Sequence, residues 1–184
     1  MDNSHAQKRN LSYKLSFIAV VLAFTVVLLG AYTRLVDAGL GCHEWPGCYG
    51  FLTVPEEQHE IQIANEAYPN APVEIDKAWP EMIHRYFAGS LGLLVAALAV
   101  LGFVNREKKE QPLALTFSLL GIIIFQAVLG MWTVTMGLLP ILVMGHLLCG
   151  FIILTLLLIL FLNIRHGNPT AWASSVRTLA LLGV

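Results

Sequence analysis

The sequence predicts an all-α integral membrane protein, a four-transmembrane-helix bundle with one long outer loop. Three observations predict it. Hydrophobic residues make up 57% of the 184 residues and charged residues only 12%, against roughly 45–50% and 25% in soluble domains. Residues 15–32, 86–104, 113–136 and 141–164 contain no Asp, Glu, Lys or Arg, and each is close to or above the roughly 20 apolar residues that cross a hydrocarbon core. The basic residues alternate between the segments that join these runs, which fixes an orientation because Lys and Arg are retained on the cytoplasmic side. The 11 Lys and Arg against 12 Asp and Glu leave a net charge of −1, so there is no positive surface of the kind that binds nucleic acid.

Residues 1–14 carry Lys8, Arg9 and Lys14 and are read as a cytoplasmic N-terminus. Span one follows at 15–33. Its apolar run exceeds the roughly 7–15 residues of a signal-peptide core and no A-x-A site follows it, so it reads as an uncleaved anchor. The outer loop, 34–80, carries Asp37, Glu44, Glu56, Glu57, Glu60, Glu66, Glu74 and Asp76 against only Arg34 and Lys77. Span two is placed at 81–104, with Pro80 marking its start. A cytoplasmic loop at 105–111 holds Arg106, Lys108 and Lys109; span three is placed at 112–136, an uncharged outer turn at 137–140 and span four at 141–164. Residues 165–176 return to the cytoplasm, and the apolar residues 177–184 read as the start of a fifth span cut short. No periodic repeat is evident along the chain.

Cys42 and Cys48 lie in the outer loop within Gly-Leu-Gly-Cys-His-Glu-Trp-Pro-Gly-Cys-Tyr-Gly. An oxidising outer compartment favours a disulfide, and Gly41, Pro46 and Gly47 let the backbone turn tightly enough to close the ring. The rivals are a zinc site with His43, whose adjacency to Cys42 fits zinc-ligand spacing poorly, and two free thiols. Cys149, in mid-span four, reads as a packing residue.

Ionisable residues inside a span point to function, because inserting them costs roughly 2–3 kcal/mol or more without a partner. His84, at the outer edge of span two, and His146, early in span four, start from the same membrane face. Their depths differ by about three residues, or roughly 5 Å, which helix tilt absorbs. Ala88 and Gly92 follow His84 on its helical face, and Cys149 and Gly150 follow His146. These small residues leave room for a flat, large group such as a heme, with the histidines as axial ligands. The same faces also suit close helix packing, with each histidine bonded to a neighbouring helix. Glu81 shares a face with His84 and is a candidate acid/base group or helix-start charge. Arg34 and Arg85 stand at the outer boundary, suited either to anionic propionates or to snorkelling.

Gly30-Ala31-Tyr32-Thr33-Arg34-Leu35, the Cys-x-x-Trp-Pro-x-Cys loop, Glu81-Met82-Ile83-His84-Arg85, Gln126-Ala127-Val128-Leu129-Gly130 and Gly145-His146 together resemble the heme A synthase family. Members usually have eight spans in two similar four-helix halves, each with its own histidine pair. This chain resembles the first half, which implies either an incomplete chain or a half-length relative that pairs with another subunit. The resemblance implies oxidation of the C8 methyl of heme O to a formyl group through successive hydroxylations, giving heme A for terminal oxidase assembly. His84 and His146 would hold the substrate iron and Glu81 would be the catalytic carboxylate. Heme b is expected in the missing second half. The implied setting is the bacterial inner membrane with a cytoplasmic N-terminus. The expected partners are the lipid bilayer, heme O synthase, terminal oxidase assembly factors and further copies of the chain. The competing reading is a bis-histidine b-type cytochrome or a heme carrier, which would use the same histidines and not need Glu81.

Overall fold

The structure, a computed structural model, describes residues 3–108 and 112–166. Its helices are α1 (Asn3–Leu35), α2 (Gln58–Ala67), α3 (Ile75–Val104), α4 (Leu113–Thr135) and α5 (Pro140–His166), with a 3₁₀ turn at Arg106–Lys108. Four of them, α1, α3, α4 and α5, are long and apolar enough to cross a membrane. The expected opening of a fifth span at 177–184 lies outside the described residues, as does most of the loop at 165–176.

Neighbours in the bundle are α1 with α3, α3 with α4, α4 with α5 and α5 with α1. The four helices therefore form a ring in which α1 faces α4 and α3 faces α5 across the diagonals. Ala19, Ala23, Leu91, Leu98, Leu119, Leu157 and Leu160 fill the interior. Outward, Phe17, Phe24, Leu93, Val100, Ile124, Ile141 and Leu148 are exposed. Large apolar side chains over so much of the perimeter would be an aggregation hazard in water and are the natural contact with lipid tails. Cys149 is buried in the core as a free thiol, in keeping with a packing role.

Two helix starts differ from the sequence reading. α1 extends back to Asn3, because the polar residues before Leu15 include good helix formers and no breaker. α3 starts at Ile75 and contains Pro80, so Pro80 does not mark the start of the helix. Its missing N–H falls in the second turn, where the loss of one intrahelical bond is tolerated.

α1 and α4 end in the same way. Past α1, Ala38 N–H donates to Thr33 O at 2.9 Å and Asp37 N–H to Arg34 O at 3.4 Å. Past α4, Leu138 N–H donates to Thr133 O at 2.8 Å and Gly137 N–H to Val134 O at 3.1 Å. Asp37 at φ 54° and Gly137 at φ 63° supply the left-handed residue that this Schellman cap requires. Asp, like Asn, tolerates that region better than most side chains.

The outer segment is more than a loop. α2 forms within it, opened by a capping box between Glu57 and Glu60. Cys42, Cys48, Tyr49, Val54 and Ala64 build a small second core against Ala78 and Met82 of α3. Cys48 and Phe51 pair across a tight turn, with Tyr49 at φ 55° and Gly50 at φ 88°. Two consecutive positive φ angles are the type I′ geometry that suits a hairpin.

Candidate functional site

Cys42 and Cys48 are joined in a disulfide, with sulfurs 2.00 Å apart. The zinc alternative is excluded for this pair, since both thiols are consumed. The loop that the disulfide closes is clamped onto α3 by two side chains. Glu81, 4% exposed, accepts from Cys42 N–H at 2.9 Å on Oε2 and pairs through Oε1 with the Arg85 guanidinium. Arg85 Nη1 donates to Glu44 O at 2.8 Å and Gly47 O at 2.6 Å, and Nη2 donates to Cys42 O at 3.3 Å. A guanidinium is a planar fork of fixed donors, so one side chain can gather several carbonyls of a tight ring. Gly41 completes the contact: a Cβ there would stand 2.3 Å from Lys77 O, so only glycine lets the loop backbone lie on the first turns of α3.

From sequence, Arg85 is suited either to anionic propionates at the outer rim or to snorkelling. Its guanidinium instead points into the loop, because the carbonyls of the closed ring and the Glu81 carboxylate surround it. Arg34 is exposed at the outer end of α1 and makes no ion pair among the described residues.

One turn further along α3 from Glu81, His84 turns inward. It meets His146 of α5, the helix diagonally opposite, with ring centroids 6.5 Å apart and planes at 73°. Each ring also lies on a glycine. A Cβ on Gly30 of α1 would be 3.0 Å from His84 Cε1, and one on Gly130 of α4 would be 3.1 Å from His146 Cε1. The Nδ1 atoms of both histidines are buried without a hydrogen-bond partner. The main chain of Val26 on α1 and of Gln126 on α4 is the polar group set beside His84 and His146 respectively.

The glycine seats follow a pattern that the linear reading passed over. Leu29-Gly30-Ala31-Tyr32-Thr33 recurs as Leu129-Gly130-Met131-Trp132-Thr133. In both, the glycine carries a histidine of the adjacent helix and the threonine is the residue whose carbonyl closes the Schellman cap. Thr33 Oγ1 donates to Leu29 O at 2.8 Å and Thr133 Oγ1 to Gly130 O at 2.7 Å. The α1–α3 and α4–α5 hairpins are thus two versions of one unit. Two short copies with three identities in common, separated by the outer loop, give too little signal to register as a period.

Sequence reading also gave Gln126 no role. Its carboxamide lies beside His146, donating to His146 O at 3.0 Å. Among the described residues no cluster of three or more His, Cys, Asp and Glu side chains surrounds a metal-sized site, so any metal held at the histidine pair needs ligands of its own.

The fold and site define a class: a membrane four-helix bundle that brings two histidines together near its capped end. Residues 13–184 match the family model described as cytochrome oxidase assembly protein, and the chain belongs to that family. It is 48% identical over 167 residues to the heme A synthase of Shewanella oneidensis, covering 91% of this chain and 50% of that protein. Over 173 residues it is 27% identical to the heme A synthase of Caulobacter vibrioides, covering 83% of this chain and 50% of the relative. Over 139 residues it is 34% identical to the heme A synthase of Sinorhizobium fredii, covering 66% and 37% respectively. The chain spans about half the length of the curated relatives it matches.

Proposed function

We propose that this chain forms the heme O-binding half of a heme A synthase, in which the C8 methyl of heme O is oxidised to a formyl group. The observation that carries this reading is the His84–His146 pair, with its 6.5 Å centroid separation. Two metal–nitrogen bonds of about 2 Å each, together with the ring radii, account for roughly 6 Å between imidazole centroids on opposite sides of one metal. The glycine seats, which let both imidazoles lie against α1 and α4, also fit a heme, whose iron the two histidines would hold.

Bound there, the heme supplies both the iron that the histidines hold and the methyl group that is oxidised. The chain's own residues do the rest. Gly30 and Gly130 let the imidazoles lie against α1 and α4, which sets their approach to the bundle axis. The apolar interior suits the isoprenoid tail, and the outer rim suits the propionates. Arg34, exposed and without an ion pair among the described residues, is the guanidinium available to them. Glu81 supplies a buried carboxylate one turn from His84, able to take a proton or balance positive charge where water screens poorly.

By the distribution of Lys and Arg, the N-terminus is cytoplasmic and the disulfide loop faces the outside of a bacterial inner membrane. A second half carrying heme b, heme O synthase, terminal oxidase assembly factors and further copies of the chain are the partners proposed, and the same purification tests them. Extraction of the pigment from the purified whole protein decides the function. Formylated heme or its hydroxylated precursor supports the synthase. Unmodified heme B alone would support the electron-transfer cytochrome or carrier, and absence of pigment would overturn both.

A further inference from the structure

The two copies of the repeated unit part company at their caps. Ala38, after Asp37, corresponds to Leu138, after Gly137. Both donate their N–H to the threonine carbonyl of the cap, Ala38 to Thr33 O and Leu138 to Thr133 O. Ala38 is buried and not left-handed, whereas Leu138 stands at φ 57°, directly after Gly137 at φ 63°. A leucine in the left-handed region is unfavourable, because its Cβ crowds the following carbonyl oxygen. Such a residue persists only where its surroundings hold it, and these places cluster at ligand clamps and switches.

What holds Leu138 is the other cap. Its side chain lies on Gly39, where an added Cβ would stand 3.3 Å from Cδ2 and 3.4 Å from Cδ1. The contact joins the end of α4 to the end of α1, helices that face each other across the bundle. Both histidine seats lie just beneath these two ends. Gly30 and Gly130 precede the last residues of their helices, Leu35 and Thr135, by the same five residues, a rise of roughly 8 Å. One side chain therefore spans the outer end of the cleft in which His84 and His146 meet. Gly137 and Leu139 on either side of it are exposed, so the turn can move without unpacking the core.

We propose that Leu138 is a latch on this cleft: resting on Gly39 it closes the outer end, and it swings away to let a heme in or out. The latch rests on the proposed reading of the histidine pair as the heme site. A substrate that becomes product in place has to leave before the next can bind, so the site needs an opening as well as a grip. Opening frees Leu138 from its unfavourable backbone conformation, which offsets the lost contact with Gly39 and keeps the open form within reach.

A latch acts on rates. With the open form at most about 10% populated, removing the latch raises entry and exit alike by at least about 10-fold and leaves their ratio, the affinity, unchanged. The test adds iron protoporphyrin IX to the purified whole protein, following binding by stopped-flow absorbance and release by transfer to an acceptor protein. Binding that persists in a His84→Ala, His146→Ala double variant belongs to other sites and is subtracted. Leu138→Gly removes the side chain and suits the left-handed backbone, so the turn needs no rearrangement. Leu138→Ala keeps the backbone strain and shortens the side chain, and if either variant does not fold the other decides. Both should bind and release at least about 10-fold faster than wild type, with wild-type affinity. Leu139→Ala, at the exposed neighbour, should keep wild-type rates. Wild-type rates in the Leu138 variants would overturn the latch and leave the histidine site intact. Faster release without faster binding would do the same, since it marks a residue that only holds the heme or the bundle in shape. Equal binding by wild type and the double histidine variant would overturn the heme site itself, and the latch with it.

Discussion

His84 of α3 lies with its Cε1 edge over Gly30 of α1, where an added Cβ would stand 3.0 Å away. That contact sets how far the imidazole reaches toward His146, and its counterpart at Gly130 does the same from the other side.

The first prediction follows from this contact. Gly30→Ala and Gly130→Ala should each displace the facing imidazole and lower heme occupancy, and Val at either position should abolish it. Gly121 of α4, exposed and with nothing within 4 Å of its added Cβ, is the control. Gly121→Ala should leave heme binding unchanged and, by helix propensity, stabilise α4 by up to about 1 kcal/mol. Absorbance of the purified variants measures occupancy, and equal occupancy in all of them would remove the seats from the site.

Glu81 and Arg85 form a buried pair that serves both the loop and the site. Glu81→Gln retains the acceptor for Cys42 N–H and loses the charge, so the whole protein should keep heme O and lose formyl-heme production. Arg85→Met strands the carboxylate and should destabilise the fold by about 3 kcal/mol, as expected for breaking one side of a buried pair. Near-normal conversion by the Gln variant, measured by chromatography of extracted heme, would assign Glu81 to the loop alone.

The disulfide closes a small ring, for which chain entropy gives about 2 kcal/mol. Cys42→Ser with Cys48→Ser should therefore loosen the outer segment without unfolding the bundle. Limited proteolysis is expected to cut the variant between α1 and α3 while the four long helices survive. Thiol labelling of the native protein should reach neither Cys42 nor Cys48 until reductant is added.

The outer segment should also loosen at alkaline pH. Tyr68 donates to Glu44 Oε2 at 3.0 Å, and this hydrogen bond to a carboxylate holds the phenol above its usual value of 10.0. Burial first, then the Glu74 and Glu81 charges, push Tyr49 the same way. A pKa raised by folding means that the folded state binds the proton more tightly. The stabilisation is thus complete below the unfolded value near 10 and lost as pH rises through the folded one. Tyr68→Phe should remove the Tyr68 share of that dependence, followed by protease sensitivity of the segment as a function of pH.

The sequence by itself determined the membrane bundle, because apolar length is a local property that no packing partner has to supply. It also isolated His84, His146 and Glu81, since ionisable residues at span edges are few and costly. The cysteine pair was legible through its spacing and compartment. Which way each side chain turns was not legible, and there tertiary structure decided. Arg85 and Arg34 are both cations at the outer edge of a span, and only the folded loop, with its carbonyls converging on α3, draws one inward and leaves the other exposed. The same holds for Gly30, Gly130 and Gln126. In the chain they stand inside the motifs that carry the family resemblance, but their contacts arise from helices that are distant in sequence. A glycine becomes a seat only when a neighbouring helix lays an imidazole on it, and the Gln126 amide reaches His146 O across the space that Gly150 leaves. Those contacts depend on helix rotation and pairing, which the packing of the whole bundle sets and no single span encodes.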